Sequence, residues 1–409
     1  MPSDTPAPTG PATTTYRDLL RVSEFTGLYV SFTLTAAATT LSGFALGTLV
    51  NHQTRSPFLT AVSMYGATFA AVLGALTLMS VADGRRPRRT VVALQCVSLA
   101  GVAAQAIPGL PLAARFVLLL VLGFFQSLAT GTRMGLLVEV VPDSAYAPAR
   151  SLMNITSGGT AILGYAIGAV LLRYLSPAEV FVVAAVLTGL GLAVLAGTVR
   201  DHSIRLTRRP GLRQTWKTNA ALFSHAGQRA LLLNLWVPNG LVVGCEALFI
   251  SYDPDHAGVF LAAGSAGMLL GDLTVGRLLS ADRRRRCAFA LRLLLAAPYL
   301  LFAVHPPVLV AAFAVFAASA GFAATLPLQE RLLELTPDPV RGQVQGVESA
   351  GRMTWQGIGA AIAGGLAQHL APGTAMTAVA AVSVAVTVAS RPLVARARAI
   401  DRDGVRTVS

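Results

Sequence analysis

Gly74-Ala-Leu-Thr-Leu-Met-Ser-Val-Ala-Asp-Gly-Arg-Arg-Pro-Arg-Arg89 is the stretch that decides the fold. An apolar run ends, an acid stands at Asp83, four arginines follow, and a new apolar run starts at Thr90. The second half repeats the arrangement as Gly271-Asp-Leu-Thr-Val-Gly-Arg-Leu-Leu-Ser-Ala-Asp-Arg-Arg-Arg-Arg286. Gly-x-Leu-Thr recurs 197 positions on, from 74 to 271, and Ala-Asp recurs 199 on, from 83 to 282. A tight basic loop between two apolar spans therefore occurs once in each half.

Outward from these loops, apolar runs of about 20 residues, each able to cross about 30 Å of hydrocarbon, fill nearly the whole chain. They fall at 25–50, 58–82, 90–108, 115–138, 151–172 and 178–199, then at 230–251, 257–279, 287–304, 308–330, 345–369 and 373–394. Twelve spans result, six on either side of a basic linker at 200–229. Only 12% of the 409 residues are charged, against about 25% in soluble domains. The expected organisation is an N-terminal tail over 1–20, disordered through its Pro, Thr and Ala, a six-helix bundle over 21–199, the linker, a second bundle over 230–394 and a tail over 395–409. The first run is too long for a signal-peptide core.

The net charge of +13 does not point to nucleic acid, because the cations sit in short loops between apolar runs. With the N-terminus inside, only Arg55, Arg115 and Arg173 lie near outer ends, leaving 29 of the 32 Lys+Arg on the inner side. The positive-inside rule selects that orientation, with both termini cytoplasmic. The linker cations then set topology or touch lipid headgroups. Cys96, Cys245 and Cys287 show neither a disulfide pattern nor metal-ligand spacing, and the six histidines are scattered. No phosphate-cradling Gly-x-x-x-x-Gly-Lys run exists, so the expectation is no enzyme, no cofactor and no metal.

The halves echo elsewhere. Glu139-Val-Val-Pro-Asp143 follows the fourth run and Glu334-Leu-Thr-Pro-Asp338 the tenth, and Gly164 matches Gly359 at the same offset of 195. Two six-span halves in parallel repeat are the signature of one transporter architecture. On these residues the chain resembles the major facilitator superfamily over about 20–395, and is most similar to its twelve-span bacterial exporters of drugs and metabolites. The family's loop signature, Gly-x-Leu-Ala-Asp-Arg-x-Gly-Arg-Arg, appears with Met79 for the leading Gly, Asp83 kept, and Gly84 for the next Arg. The second copy keeps Gly276 and Leu278 and has Ser280 at the acid's place. The antiporter element Gly-Pro-x-x-Gly-Gly reads Gly164-Tyr165-Ala166-Ile167-Gly168-Ala169 here, with Tyr for Pro and Ala for the last Gly.

Ionisable groups inside hydrocarbon cost roughly 2.5–3.5 kcal/mol each on insertion scales, so each asks for a reason. Glu246 shares a helical stripe with Trp236, Asn239 and Val243. Pro238-Asn239-Gly240 is expected to interrupt that helix and free carbonyls toward a cavity. A carboxyl there carries a proton or meets a cationic substrate; the alternative is an acid snorkelling to the outer surface. Arg133 aligns with Gln126 and Thr130 on the fourth span; it either pairs with Glu139 or another acid near the inner surface, or contacts substrate or controls a protonatable acid as a third proton-coupling candidate. Asp272, among glycines of the eighth span, is expected to pair with Arg277 or Arg133, locking a gate more readily than coupling protons.

Glu348 and Arg352 form an i, i+4 pair at the start of the eleventh span. The resemblance implies that the basic loop, with Asp83, Arg85, Arg86, Arg88 and Arg89, docks near Glu139 and Glu348 as a cytoplasmic gate. It also implies a cavity lined by spans one, four, seven and ten, helped by five and eleven. That selects Tyr29, Gln126, Asn154, Trp236, Asn239, Trp355 and Gln356 as cavity candidates. The expected protein is an all-α, inner-membrane secondary transporter, expected to be a monomer, whose partners are protons, lipid and a small solute, with no nucleic acid. Export of an amphipathic drug or metabolite by proton antiport is the first expectation, favoured by an apolar, aromatic cavity. Uptake, or a non-transporting sensor or assembly role, are the alternatives.

Overall fold

The computed structural model describes residues 16–78, 87–200, 223, 225–337 and 340–393. Residues 1–15 of the expected N-terminal tail, the expected C-terminal tail, most of the basic linker, and Asp83, Arg85 and Arg86 lie outside the described residues, whereas 16–20, expected to be disordered, open on a helical turn with Leu19 buried. After a single helical turn at Tyr16–Leu19, the described residues form twelve rods and no strand. The first six are α1 Ser23–Thr54, α2 Pro57–Leu78, α3 Pro87–Gln105, α4 Leu112–Val140, α5 Asp143–Tyr174 and α6 Pro177–Thr198. Then come α7 Ala226–Tyr252, α8 Ala257–Leu278, α9 Ala281–Val304 and α10 Val308–Glu334. The last two are α11 Arg341–Leu366 and α12 Pro372–Ala389. Ten rods are long and apolar enough to cross a membrane. The other two are α3, which opens on Arg88 and Arg89, and α11, which carries Arg341, Glu348 and Arg352.

Turn chemistry sets the ends. Pro111, Pro142 and Pro307 stand at the N-caps of α4, α5 and α10, where a missing N–H costs nothing. Ser176 and Glu179 form a reciprocal capping box at α6, with Pro177 in the first turn. Arg55 closes α1 in the left-handed region at φ 51°. Several helices outrun their apolar stretch. The second basic run is not a loop: Arg283–Arg286 lie in the first turns of α9, which starts at Ala281 after the N-cap Ser280. Arginine is a good helix former, so an apolar count starts this helix six residues late, at 287. In the same way α5 starts at Asp143 instead of 151.

The packing obeys a two-fold repeat. In the first half α1 packs on α5 and α6, α2 on α4, and α3 on α4 and α6; in the second α7 packs on α11 and α12, α8 on α10, and α9 on α10 and α12. The repeated glycines explain it. A Cβ on Gly74 would strike the Phe124 carbonyl of α4, and one on Gly271 the Ala320 carbonyl of α10. Gly359 abuts the Gly240 carbonyl of α7, just as Gly164 abuts Thr40 of α1. The two bundles meet through α2 with α11 and α5 with α8.

The turns at 55–56, 106–111, 175–176, 253–256, 305–307 and 367–371 share one face, the distal face. The opposite, terminal face carries Tyr16, Leu393 and the helix ends that flank the central linker. At the distal face the bundles are tied. Ser251 Oγ donates to Asn51 Oδ1 at 3.2 Å, and Gln368 Nε2 to Ser56 Oγ at 2.6 Å. Gly364 of α11 sits against Phe58 and Ala61 of α2. A stacked aromatic core of Phe249, Phe260, Tyr299 and Phe302 stiffens the second bundle behind them. On the terminal face Tyr16 bridges the bundles, with its hydroxyl 3.2 Å from Ser151 Oγ of α5 and accepting from Arg277 Nη2 of α8 at 3.4 Å.

Candidate functional site

Glu246 ends the regular part of α7, which breaks at Ala247–Leu248 and resumes at Phe249. The break lies here and not at Pro238, through which the helix runs on. Gly240 lets the α7 backbone press on that of α11 at Trp355, and Ser383 Oγ of α12 donates to the Pro238 carbonyl at 3.1 Å. Glu246 is half-buried and faces the first bundle, not lipid: Tyr65 Oη of α2 donates to its Oε2 at 3.4 Å. Ser319 of α10 lies beside the carboxylate and beside the Tyr299 hydroxyl. Neither Ser319 Oγ nor Tyr299 Oη completes a hydrogen bond of regular geometry, though both are buried. The carboxylate's field also reaches Tyr165 of α5. Helices of both bundles thus meet at one acid, which forms no ion pair among the described residues.

The remaining coupling candidates separate from Glu246. Arg133 is 7% exposed, with its guanidinium 5.3 Å from the Phe32 ring centroid. The expected pair with Glu139 does not form; Glu139 Oε2 is buried without a partner. The guanidinium is therefore held by an aromatic face. Asp272 is exposed and its nearest charge influence is Arg352. It does not pair with Arg277, which turns to Tyr16. Arg352 Nε donates to Glu348 Oε1 at 3.1 Å, and Gln329 Nε2 to Glu348 Oε2 at 3.1 Å. The expected i, i+4 pair exists, but it braces α10 and α11 of one bundle. Arg88 donates to the Ala196 carbonyl at the end of α6, and Arg89 is exposed.

Four cavity candidates stitch a seam. Trp236 is 7% exposed and its indole N–H donates to the Glu348 carbonyl at 2.9 Å. Asn239 is 2% exposed and accepts from Gln356 Nε2 at 3.1 Å. Trp355 packs with Trp236 in one cluster. The stripe on α7 is real, but its lower part faces α11 because glycines at 240, 351 and 359 admit close contact. Tyr29 bonds Thr156 of α5 at 2.7 Å and stacks on Phe25, so it too joins two helices. Asn154 is exposed, and Gln126 is exposed into a pocket.

That pocket is a cavity of about 270 Å³ inside the first bundle, reached by Gln126 and Tyr165. Its polar wall carries Ser98, the Tyr165 phenol and the amides of Gln105 and Gln126 beside six further hydroxyls, those of Thr35, Thr39, Thr40, Ser42, Ser63 and Thr188. Each of those six is shown donating to a carbonyl of its own helix, from 2.7 Å for Thr35 and Ser63 to 3.2 Å for Ser42. Phe44 and Phe181 supply much of the apolar wall. It is not the cavity expected from sequence, because no residue of α7, α10 or α11 lines it. Sequence reasoning missed Tyr65, Tyr299 and Ser319. A phenol in mid-span was the available signal, since a buried tyrosine hydroxyl usually finds a partner.

The sequence model of the Major Facilitator Superfamily matches residues 28–254. No curated protein sequence matches. Among solved structures, the nucleoside transporter NupG superposes with a TM-score of 0.76 at 12% identity, covering 90% of this chain and 99% of that one. A POT family transporter in complex with a thioalcohol-conjugated peptide gives 0.74 at 11% identity, covering 91% and 96%. A D-xylose-proton symporter gives 0.62 at 14% identity, covering 93% and 98%.

Proposed function

Because the chain belongs to the Major Facilitator Superfamily, we propose that it is a secondary transporter that exports a small organic solute in exchange for protons. The membrane is the cytoplasmic one, with the terminal face inside, because that orientation keeps nearly every cation on the cytosolic side. The two bundles rock about the seams α2–α11 and α5–α8, exposing the space between them to one side at a time. The observation that carries the reading is Glu246: one carboxylate, at the bundle seam, hydrogen-bonded across it to Tyr65. An acid without a basic partner holds either a proton or a cation, not both. Two ligands that compete for one group cannot cross together, which is the logic of exchange.

Proton-coupled uptake is the second reading. Tyr165 standing where the antiporter element has Pro favours it, and one of the similar structures is a proton symporter. Proteoliposomes loaded with a pH dye separate the two by sign, with choline, agmatine and ethidium added outside as probes. Exchange makes the lumen alkaline as a probe enters; symport makes it acid. Glu246→Gln proteoliposomes supply the baseline for passive leak and are expected to show neither change. Lumen acidification by wild type alone overturns export by exchange, and silence with every probe favours a non-transporting role.

A further inference from the structure

We propose that the terminal end of α9, together with the residues just past α12, holds the headgroup of an anionic phospholipid, with Arg283, Arg286 and Arg391 on its phosphate and its chains along the outer face of α9. The argument starts from how the second basic run is divided. Arg283–Arg286 occupy the first turns of α9. Successive residues of a helix point about 100° apart, so the four cannot face one way. Arg284 and Arg285 turn inward to α10: Arg284 Nη2 meets Glu330 Oε1 at 2.7 Å and Arg285 Nη2 meets Glu334 Oε1 at 3.0 Å. Arg283 and Arg286 turn outward. Both are exposed, and neither makes a hydrogen bond or ion pair among the described residues. Asp282, the acid of the first turn, is exposed as well and pairs with neither.

A third cation arrives from another helix. Arg391, just past α12, stands with its guanidinium carbon 4.6 Å from the centroid of the Phe289 ring. Phe289 lies one turn along α9 from Arg286. A ring face orients a guanidinium without neutralising it. Cations in the first turns of a helix also oppose its dipole. The inner pair of arginines has carboxylates to offset that; the outer pair has none among the described residues.

Below the arginines the same face turns apolar. Cys287, Ala290 and Leu294 follow Arg283 at helical spacing, and all three are exposed. The opposite face, with Ala288, Leu295 and Ala296, is buried. Since α9 is long and apolar enough to cross a membrane, the exposed stripe meets lipid chains. A face cationic at its end and apolar beneath fits a phospholipid of net negative charge, whose phosphate a guanidinium binds through paired N–H groups. A soluble phosphate would leave the stripe unused, and an acidic polypeptide could not follow it into hydrocarbon. The positive-inside rule asks only that cations lie on this side. It does not ask that two of four be matched with acids and the other two be turned to lipid. Nothing in this assignment depends on Glu246.

Cys287 supplies the reporter, because it is exposed and shares the face of Arg283 and Arg286. The full-length chain carrying Cys96→Ser is labelled there with bimane and placed in nanodiscs, Cys245 being buried. A nitroxide quencher is carried high on the acyl chain of phosphatidylglycerol or of phosphatidylcholine, at equal mole fraction. Quenching should show phosphatidylglycerol favoured at least about fivefold, the worth of one arginine at an anionic surface. Arg283→Gln, Arg286→Gln and Arg391→Gln together should bring the two lipids to parity, and Arg391→Gln alone should lower the preference part of the way. Arg17→Gln with Arg150→Gln, both exposed elsewhere on the terminal face, should leave it unchanged. Equal quenching by the two lipids before any arginine is changed would overturn the proposal. So would a preference untouched by the triple change or by Arg391→Gln, or one that falls as far when Arg17 and Arg150 are changed instead. Inorganic phosphate added at constant ionic strength should not compete. If it abolishes the preference, a free anion occupies the site and the lipid assignment falls.

Discussion

Tyr65→Phe removes one oxygen and keeps the ring in place. The lost contact is the 3.4 Å hydrogen bond from Tyr65 Oη to Glu246 Oε2, which crosses from α2 to α7 with the distal face closed. Hydrogen bonds to a charged group contribute about 1.5–3 kcal/mol, and one this long sits at or below the bottom of that range, about 1–1.5 kcal/mol. The bond exists only while the bundles are together, so its loss shifts the balance toward the distal-open state by that amount, about five- to tenfold in population. Spin labels at Tyr174→Cys and Val304→Cys read the separation across the distal face. These positions are 83% and 75% exposed and lie on opposite bundles. Cys96 and Cys287 are exposed and must first be replaced, whereas Cys245 is buried. The expected result is growth of the long-distance population in Tyr65→Phe, and no further growth when Glu246→Gln is added. Populations unchanged within about twofold would refute the claim that this bond helps to hold the closed state.

Further outcomes follow from the packing. Gly240→Ala puts a methyl against the Trp355 backbone and should cost about 1–3 kcal/mol by overpacking, read as a lower melting temperature in detergent. Arg352→Ala leaves Glu348, 2% exposed, with Gln329 alone, and should cost about 3 kcal/mol. Arg352→Ala with Glu348→Gln should recover most of that loss. Tyr16→Phe cuts the terminal bridge to Ser151 and Arg277. That bridge is exposed, so at most about 1 kcal/mol is lost, seen as a wider label distance across the terminal face. The Tyr16 phenol is held below its ordinary range chiefly by the Ser151 hydrogen bond, with burial opposing it and Arg277 adding a further lowering. Phenolate absorbance should therefore begin to rise at lower pH in wild type than in Tyr16→Phe.

The twelve rods and the duplication were legible because both rest on local signals, apolar runs and repeated glycines. The paired close contacts at Gly74 and Gly271 show why the repeat survives: each lets a helix touch a carbonyl of the helix two further on. Glu246 was legible for the same reason, as a lone acid in an apolar run. Which face of α7 looks inward was not. Trp236, Asn239 and Glu246 share a stripe, yet the first two meet α11 and the third meets α2. All three stand before the break in α7, so the stripe points one way; what changes along it is the neighbour, because α2 packs beside α11 on that side. The site's other members were hidden because Tyr65, Tyr299 and Ser319 come from three helices whose approach to α7 depends on tertiary packing.

The duplication stops short of the site. In the first bundle each of the six rods is one continuous α-helix over its described residues. In the second, α7 breaks after Glu246, α8 ends in a π-turn at Thr274–Leu278, α9 ends in a 3₁₀ stretch at Ala297–Val304, and α10 carries a 3₁₀ turn at Gly321–Ala324. Helical irregularities mark positions where a regular ladder would place a side chain wrongly. Here two of them hold the acid's neighbours: Tyr299 stands in the 3₁₀ stretch of α9, and Ser319 lies two residues before the 3₁₀ turn of α10. The close contact of Gly321 with the α9 backbone at Leu291 and Leu295 fixes that turn against α9. The two bundles therefore differ in helix regularity although the sequence repeat spans both. The regular bundle keeps continuous α-helices, several of whose hydroxyls bond carbonyls of their own helix beside a pocket. The irregular one gives up helix hydrogen bonding to surround a single carboxylate, and Tyr65 is the point at which the two meet.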